Sequence, residues 1–302
     1  MKIIRSGLII SPEVMLLDDG SNINGPSCIK MPNWCKNKLG NYYLYFAHHS
    51  GKYIRMAYAD KLDGVWTEYK GGVLDIEGMI DAHHHIASPD IFVDHQRKEL
   101  RMYFHSPSYK KKQQWTYLAT SSNGLEFFQF SSTPLAPFYL RVVNYNNLFY
   151  GMSKGGNIWF SKSGLDSFSP LHNPFDRSLD QEIWHNSPGS VRHVALFLHK
   201  KVLYVFFTRI GDSPEKILCG SINLSMSRKN WKVINIITVI KPETKYEGVH
   251  LQKKPSEAGT AAQEENALRD PFIFEDNNKL YMFYCVKGES GIALSELELG
   301  LI

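Results

Sequence analysis

The sequence predicts an all-β fold, a five-bladed β-propeller of four-stranded antiparallel blades, and three observations predict it. A run of alternating aromatic and aliphatic residues occurs five times, at Tyr42–Phe46, Leu100–Phe104, Leu148–Met152, Val202–Phe207 and Leu280–Tyr284. These runs start 58, 48, 54 and 78 residues apart, which is the spacing of propeller blades rather than of sandwich strands. Turn residues precede most of them, as in Lys38-Leu39-Gly40-Asn41, Tyr145-Asn146-Asn147 and Asp276-Asn277-Asn278. That is the punctuation of a hairpin between a first and a second strand.

Taken in order, each cassette opens on a first strand. Asn24-Gly25-Pro26-Ser27, Ala87-Ser88-Pro89-Asp90 and Arg269-Asp270-Pro271-Phe272 begin three of these, and Leu140-Arg141-Val142 and Val191-Arg192-His193 take the same place in the other two. Proline fits the start of a strand, where no ladder donor is needed. The aromatic run is the second strand. A third follows at Tyr53–Ala59, Trp115–Thr120, Asn157–Ser161, Ile217–Ile222 and Gly291–Leu297. A turn and an aromatic then close the unit: Trp66, Phe127, Phe168 and, more loosely, Trp231. The Ser-Asn-Gly-Leu and Ser-Gly-Leu turns read as structural. The fifth cassette ends before an outer strand, and an open edge is a liability. Ile3–Ile10 is therefore expected to supply that strand and close the ring, making residues 1–302 one domain.

Bulk properties narrow the partners. Of 302 residues, 43% are hydrophobic and 21% charged, a composition that supports a large buried core. The formal charge is only +4, and the one basic run, Lys110-Lys111-Lys112, reads as a solvated loop, so nucleic acid is not an expected partner. No apolar run nears the ~18 residues of a membrane span, and the N-terminus lacks a signal-peptide core, so no membrane partner and a cytoplasmic location are expected. Cys28, Cys35, Cys219 and Cys285 show no metal-type spacing, and the last two sit in apolar strands as small hydrophobes.

In a propeller the first strands line the axis, so Asn24, Asp90, Arg141, His193 and Asp270 are expected to meet at one mouth. Long inter-blade stretches at 70–87, 170–189 and 238–268 bring further groups, with 256–265 reading as a mobile loop of small and acidic residues.

Five blades with X-Pro-X motifs on the axial strands resemble the five-bladed propeller glycosidases: glycoside hydrolase family 43, families 32 and 68, and families 117 and 130. Arg269-Asp270-Pro271 matches the Arg-Asp-Pro signature of the invertase group in letters, but in the last blade, whereas that group carries it nearer the start. Where the first blade of such enzymes bears a carboxylate, this chain has Asn24-Gly25-Pro26. The resemblance implies a glycoside hydrolase acting on a short, anionic or neutral oligosaccharide. It implies no required cofactor and leaves an axial calcium open. A phosphate-dependent phosphorylase and a non-catalytic sugar-binding propeller are the alternatives.

Glycoside cleavage needs two carboxyl groups, one protonated and one ionised. Asp90 and Asp270 are the axial candidates. Glu247, between Tyr246 and Gly248, is the expected general acid, with Glu182 competing. His85 and His193 are expected to bind sugar hydroxyls, since three consecutive histidines, His83-His84-His85, cannot all turn to one metal. Arg209 is expected to fork onto an anionic substrate group or to pair internally with Asp212 or Glu215. Arg141, Arg192 and Arg269 add positive charge at the mouth, which points to an anionic sugar or phosphate. Trp34, Trp184 and Tyr246 are candidates to stack on a sugar face, and Asn24 to bind one.

Overall fold

A computed structural model describes residues 1–13, 22–175 and 186–300. Five antiparallel sheets stand in a ring, and their strand order follows the cassettes. Blade one is Asn24–Lys30, Tyr42–Ala47, Tyr53–Ala59 and Thr67–Asp75. Blade two runs Ala87–Asp94, Glu99–Pro107 and Gln114–Ser121. Its outer strand is broken into Phe128–Gln129 and Ala136–Pro137, both paired with Gln114–Ser121. Blade three is Arg141–Tyr145, Leu148–Met152, Ile158–Ser161 and a two-residue outer strand, Ser169–Pro170. Blade four is Val191–His199, Val202–Arg209, Ile217–Asn223 and Ile234–Ile240. Blade five is Arg269–Asp276, Lys279–Cys285 and Ile292–Glu298, and its outer strand is Lys2–Ile10, paired antiparallel with Ile292–Glu298. The ring closes as the sequence predicts.

The second strands are apolar on both faces because each blade is sandwiched between two others. In Tyr42–Ala47 all six residues are buried. Tyr43 and Tyr45 enter the cluster shared with blade two, while Tyr42, Leu44 and Phe46 enter the one shared with blade five. Five such clusters occur, one at each blade interface. Burying a large apolar side chain contributes ~1.5–3 kcal/mol, so these interfaces hold the ring. Trp66, Phe127, Phe168 and Trp231 are all buried among them.

The glycine turns lock one blade to the next. Tyr45 of blade one donates its hydroxyl to the Gly124 carbonyl of blade two (2.9 Å), and Tyr103 of blade two does the same to Gly164 of blade three (2.8 Å). In both turns a serine oxygen, Ser121 or Ser161, accepts from the glycine N–H (2.9 Å each). Glycine is required there: φ is +77° at Gly124 and +69° at Gly164, and a Cβ would stand 2.7 Å from the tyrosine oxygen.

Candidate active site

A shared backbone device shapes the axis. Gly25, Ser88, Tyr139 and Asp270 are all left-handed, with φ of 62°, 51°, 58° and 49°. Each stands two residues before Ser27, Asp90, Arg141 or Phe272. In blades one, two and five a bulge in the first strand accompanies it. Asp270 is thus the counterpart of Ser88, not of Asp90. Gly25 also explains why blade one carries no carboxylate here: a Cβ on it would lie 2.9 Å from the Ser88 Cα.

Below the mouth, Arg141 forms an axle. Its buried guanidinium donates to the Pro89 carbonyl, to the Pro26 carbonyl (3.5 Å), to the Tyr139 hydroxyl (3.2 Å) and to Asp90 Oδ1 (3.4 Å). Asp90 Oδ2 accepts the Val142 N–H (2.8 Å), just as Ser27 Oγ accepts the Ile91 N–H one blade earlier (3.0 Å). Asp90 is therefore an inter-blade tie that does not line the pocket, and burial pushes it above the ordinary aspartate value against the charge of Arg141. The oxygens gathered around Arg141 accept from its guanidinium, so this part of the hub does not fit a metal ion. Among the described residues no cluster of three or more His, Cys, Asp or Glu is arranged to hold one.

Above the axle the blades enclose a pocket with about 710 Å³ of empty volume, counting its open mouth. Rings form an arc around it. His49 stacks with His85 (6.4 Å between centroids), His85 meets His105 edge-on (6.0 Å), His105 faces Tyr139 (6.2 Å), and Tyr139 faces His193 (5.0 Å). Burial holds His85 below the ordinary imidazole value, and His105 and His193 well below it. These rings are uncharged near neutral pH, suited to exchanging hydrogen bonds with sugar hydroxyls.

Two carboxyl groups line this pocket, Asp270 and Glu289. Tyr139 donates its hydroxyl to Asp270 Oδ1 (2.8 Å), and His193 Nδ1 stands 3.3 Å from the same oxygen. Burial and the charge of Glu289 push Asp270 above the ordinary aspartate value, against Tyr139, Arg192 and Arg269. Glu289 goes the other way. Burial opposes its ionisation, but Arg269 and the Asn22 amide outweigh that and hold it below the ordinary glutamate value. Its Oε2 accepts from Asn22 Nδ2 (2.6 Å) and Thr260 Oγ1 (3.1 Å), and Oε1 lies 3.5 Å from Arg269.

Of the residues singled out in the sequence, Asn24, His85, His193 and Asp270 line the pocket, together with Arg192. The others do not. Glu247 is fully buried outside it. Arg5 Nε (2.9 Å) and Tyr284 Oη (3.0 Å) donate to one oxygen, and the Glu243 and Thr244 N–H groups (2.8 and 2.9 Å) to the other. It caps a helical turn and anchors the outer strand, so its expected role as general acid is withdrawn. Arg269 is consumed by Glu215 (2.9 Å), Glu265 (2.6 Å) and Glu289. Arg209 lies over the Phe207 ring, while Asp212 pairs with Lys216 and Glu215 with Arg192 and Arg269. Neither expected partner takes it. Arg141 is the axle and not a substrate contact. Tyr246 packs on the cluster between blades four and five, and Trp34 on that between blades one and two, so neither is a platform at the mouth. Trp184 and Glu182 lie outside the described residues. The 256–265 loop is pinned: the Glu257 and Gly259 carbonyls accept from Arg192, and Gly259 lines the pocket.

Sequence reasoning missed Glu289, Lys154 and Tyr139. A signal existed for the first two. In an up-and-down blade the start of the first strand and the end of the second share one face, and these residues follow second strands.

No protein-family model matches the chain. It is 35% identical over 308 residues to the protein "Uncharacterized protein R118" of Acanthamoeba polyphaga mimivirus, covering 94% of this chain and 85% of that one. The fold is shared with CoXyl43, a GH43 β-xylosidase/α-arabinofuranosidase from a compost microbial metagenome solved with xylotriose. There the TM-score is 0.63 at 12% identity, with 92% of each chain covered. A GH43_1 enzyme from Xanthomonas citri, also solved with xylotriose, gives 0.63 at 11% identity over 97% of this chain and 91% of that one. A structure described as a glycoside hydrolase gives 0.68 at 13% identity over 99% and 93%.

Proposed function

We propose that this chain, which belongs to one protein family with R118 of Acanthamoeba polyphaga mimivirus, is a glycoside hydrolase that takes a short oligosaccharide into the axial mouth. The observation that carries the reading is the pair Asp270 and Glu289, two carboxyl groups of one pocket whose surroundings drive their protonation apart. Such a split is how acid and base roles are assigned between carboxyl groups. Asp270, holding its proton, gives it to the departing glycosidic oxygen. Tyr139 and His193 fix the orientation of that carboxyl and stabilise the charge it acquires. Glu289, ionised, stabilises the positive charge developing at the anomeric carbon and draws the proton of the attacking water. The neutral histidines and Asn24 bind ring hydroxyls. Shared fold with enzymes solved with xylotriose supports an oligosaccharide as the ligand.

The arginines that suggested a phosphorylase, Arg141, Arg192 and Arg269, are already paired with carboxylates. A panel of aryl-glycosides assayed with and without phosphate tests the reading. The expected result is release of the aglycone that is indifferent to phosphate and is lost in Asp270→Asn and Glu289→Gln. Turnover that requires phosphate, or no turnover of any member, would overturn it.

A further inference from the structure

We propose that Lys154 is the specificity-determining residue of the mouth, and that the sugar it selects bears an anionic oxygen group, a ring carboxylate or a sulfate ester. The proposal rests on the glycosidase reading and narrows its substrate class. The argument is a balance of charges around the pocket. Arg192 is met by Glu215 Oε2 (3.1 Å) and two backbone carbonyls. Glu289 shares Arg269 with Glu215 and Glu265 and is also held by Asn22 and Thr260. Burial and the charge of Glu289 push Asp270 toward its uncharged form. Lys154 remains.

Lys154 sits in a short helical turn, Lys154–Gly156, directly after the second strand of blade three. Its N–H donates to the Phe138 carbonyl (3.3 Å), fixing the turn against the pocket wall. The ammonium lies 5.3 Å from the Phe138 ring centroid and donates to Asn186 Oδ1 (2.9 Å). An ammonium carries three donors, and among the described residues no carboxylate pairs with this one. Burial, then the charge of Arg192, lower its amine to about 8. A half-buried cation held near another cation is costly until an anion meets it. Among the described residues that anion is left to the ligand.

Calorimetric titration with paired monosaccharides provides the test: D-glucuronate against D-glucose, D-galacturonate against D-galactose, and D-galactose 6-sulfate against D-galactose. For at least one pair the wild-type protein should prefer the charged member about tenfold or more, the worth of a charge-assisted hydrogen bond. The preference should fade as the pH rises through about 8 and vanish in Lys154→Met, while the neutral partner's affinity changes little. Which pair responds tells carboxylate from sulfate. Equal binding within every pair, or a preference that survives Lys154→Met, overturns the role of Lys154 and leaves the glycosidase reading standing. No binding by any sugar, together with no aryl-glycoside turnover, sinks both.

Discussion

Glu247 near the rim and Asp270 at the mouth are both buried carboxyl groups beside a blade-five strand, yet their surroundings are opposite. Glu247 receives four donors, one of them a guanidinium, and every lone pair has a use within the fold. Asp270 receives one hydroxyl, faces a neutral imidazole, and shares its pocket with an ionised glutamate. Burial alone does not make a carboxyl group chemical. What matters is whether the group opens onto the pocket, as Asp270 and Glu289 do and Glu247 does not.

The contrast can be broken at several points, the most drastic first. Deleting residues 1–10 removes the outer strand of blade five and the Arg5 partner of Glu247. The expected outcome is loss of the cooperative unfolding transition at ambient temperature, seen by circular dichroism. An unchanged melting curve would show that the rim does not depend on ring closure. Asp270→Asn should lower kcat ~10²–10⁴-fold, as loss of a general acid does, with little change in Tm, because Asn can still accept from Tyr139. Glu247→Ala should behave in the reverse sense. It costs about 3 kcal/mol in denaturant unfolding, having broken a buried pair, and leaves kcat of the folded fraction intact. If Glu247→Ala abolishes turnover in folded protein, the division between rim and mouth is wrong.

A pH effect comes next. His85, His105 and His193 have folded values below the ordinary 6.5. Their contribution to stability is full above 6.5 and is lost as the pH falls, because the unfolded chain takes up protons that the native mouth refuses. Unfolding free energy should therefore fall on acidification below 6.5, and less steeply in His105→Gln/His193→Gln. Smallest is Gly164→Ala, which forces a Cβ against Tyr103 and Phe149 at positive φ and should cost ~1–3 kcal/mol without touching activity.

The ring was legible because it rests on repetition. A strand packed on both faces must be apolar on both, so the aromatic runs mark the five blades, and a missing last strand points to Ile3–Ile10, observed as Lys2–Ile10. The site was legible only in part. Asn24, His193 and Asp270 follow from their place at the head of a first strand, and His85 from its nearness to one. Asp90 misled because register, not adjacency to proline, decides which residue turns inward: the left-handed residue is Ser88 in blade two and Asp270 in blade five. Arg141 and Arg269 misled because sequence displays a charge without its partners: Asp90 reaches Arg141 from 51 residues away, and Arg269 is met by Glu215 and Glu289 from other loops as well as by the nearby Glu265. Glu247 looked free beside a glycine, but Arg5, 242 residues away, is bound to it.

The central claim is that Asp270 holds its proton more tightly than an ordinary aspartate does. Carbon-13 NMR of protein labelled at the aspartate carboxyl carbons, titrated with acid and base and assigned with Asp270→Asn, reads this directly. The account predicts one resonance, absent from the variant, that titrates above 3.8 and moves lower when Glu289 is replaced by Gln and its charge removed. A resonance for Asp270 that titrates at or below 3.8 would contradict it.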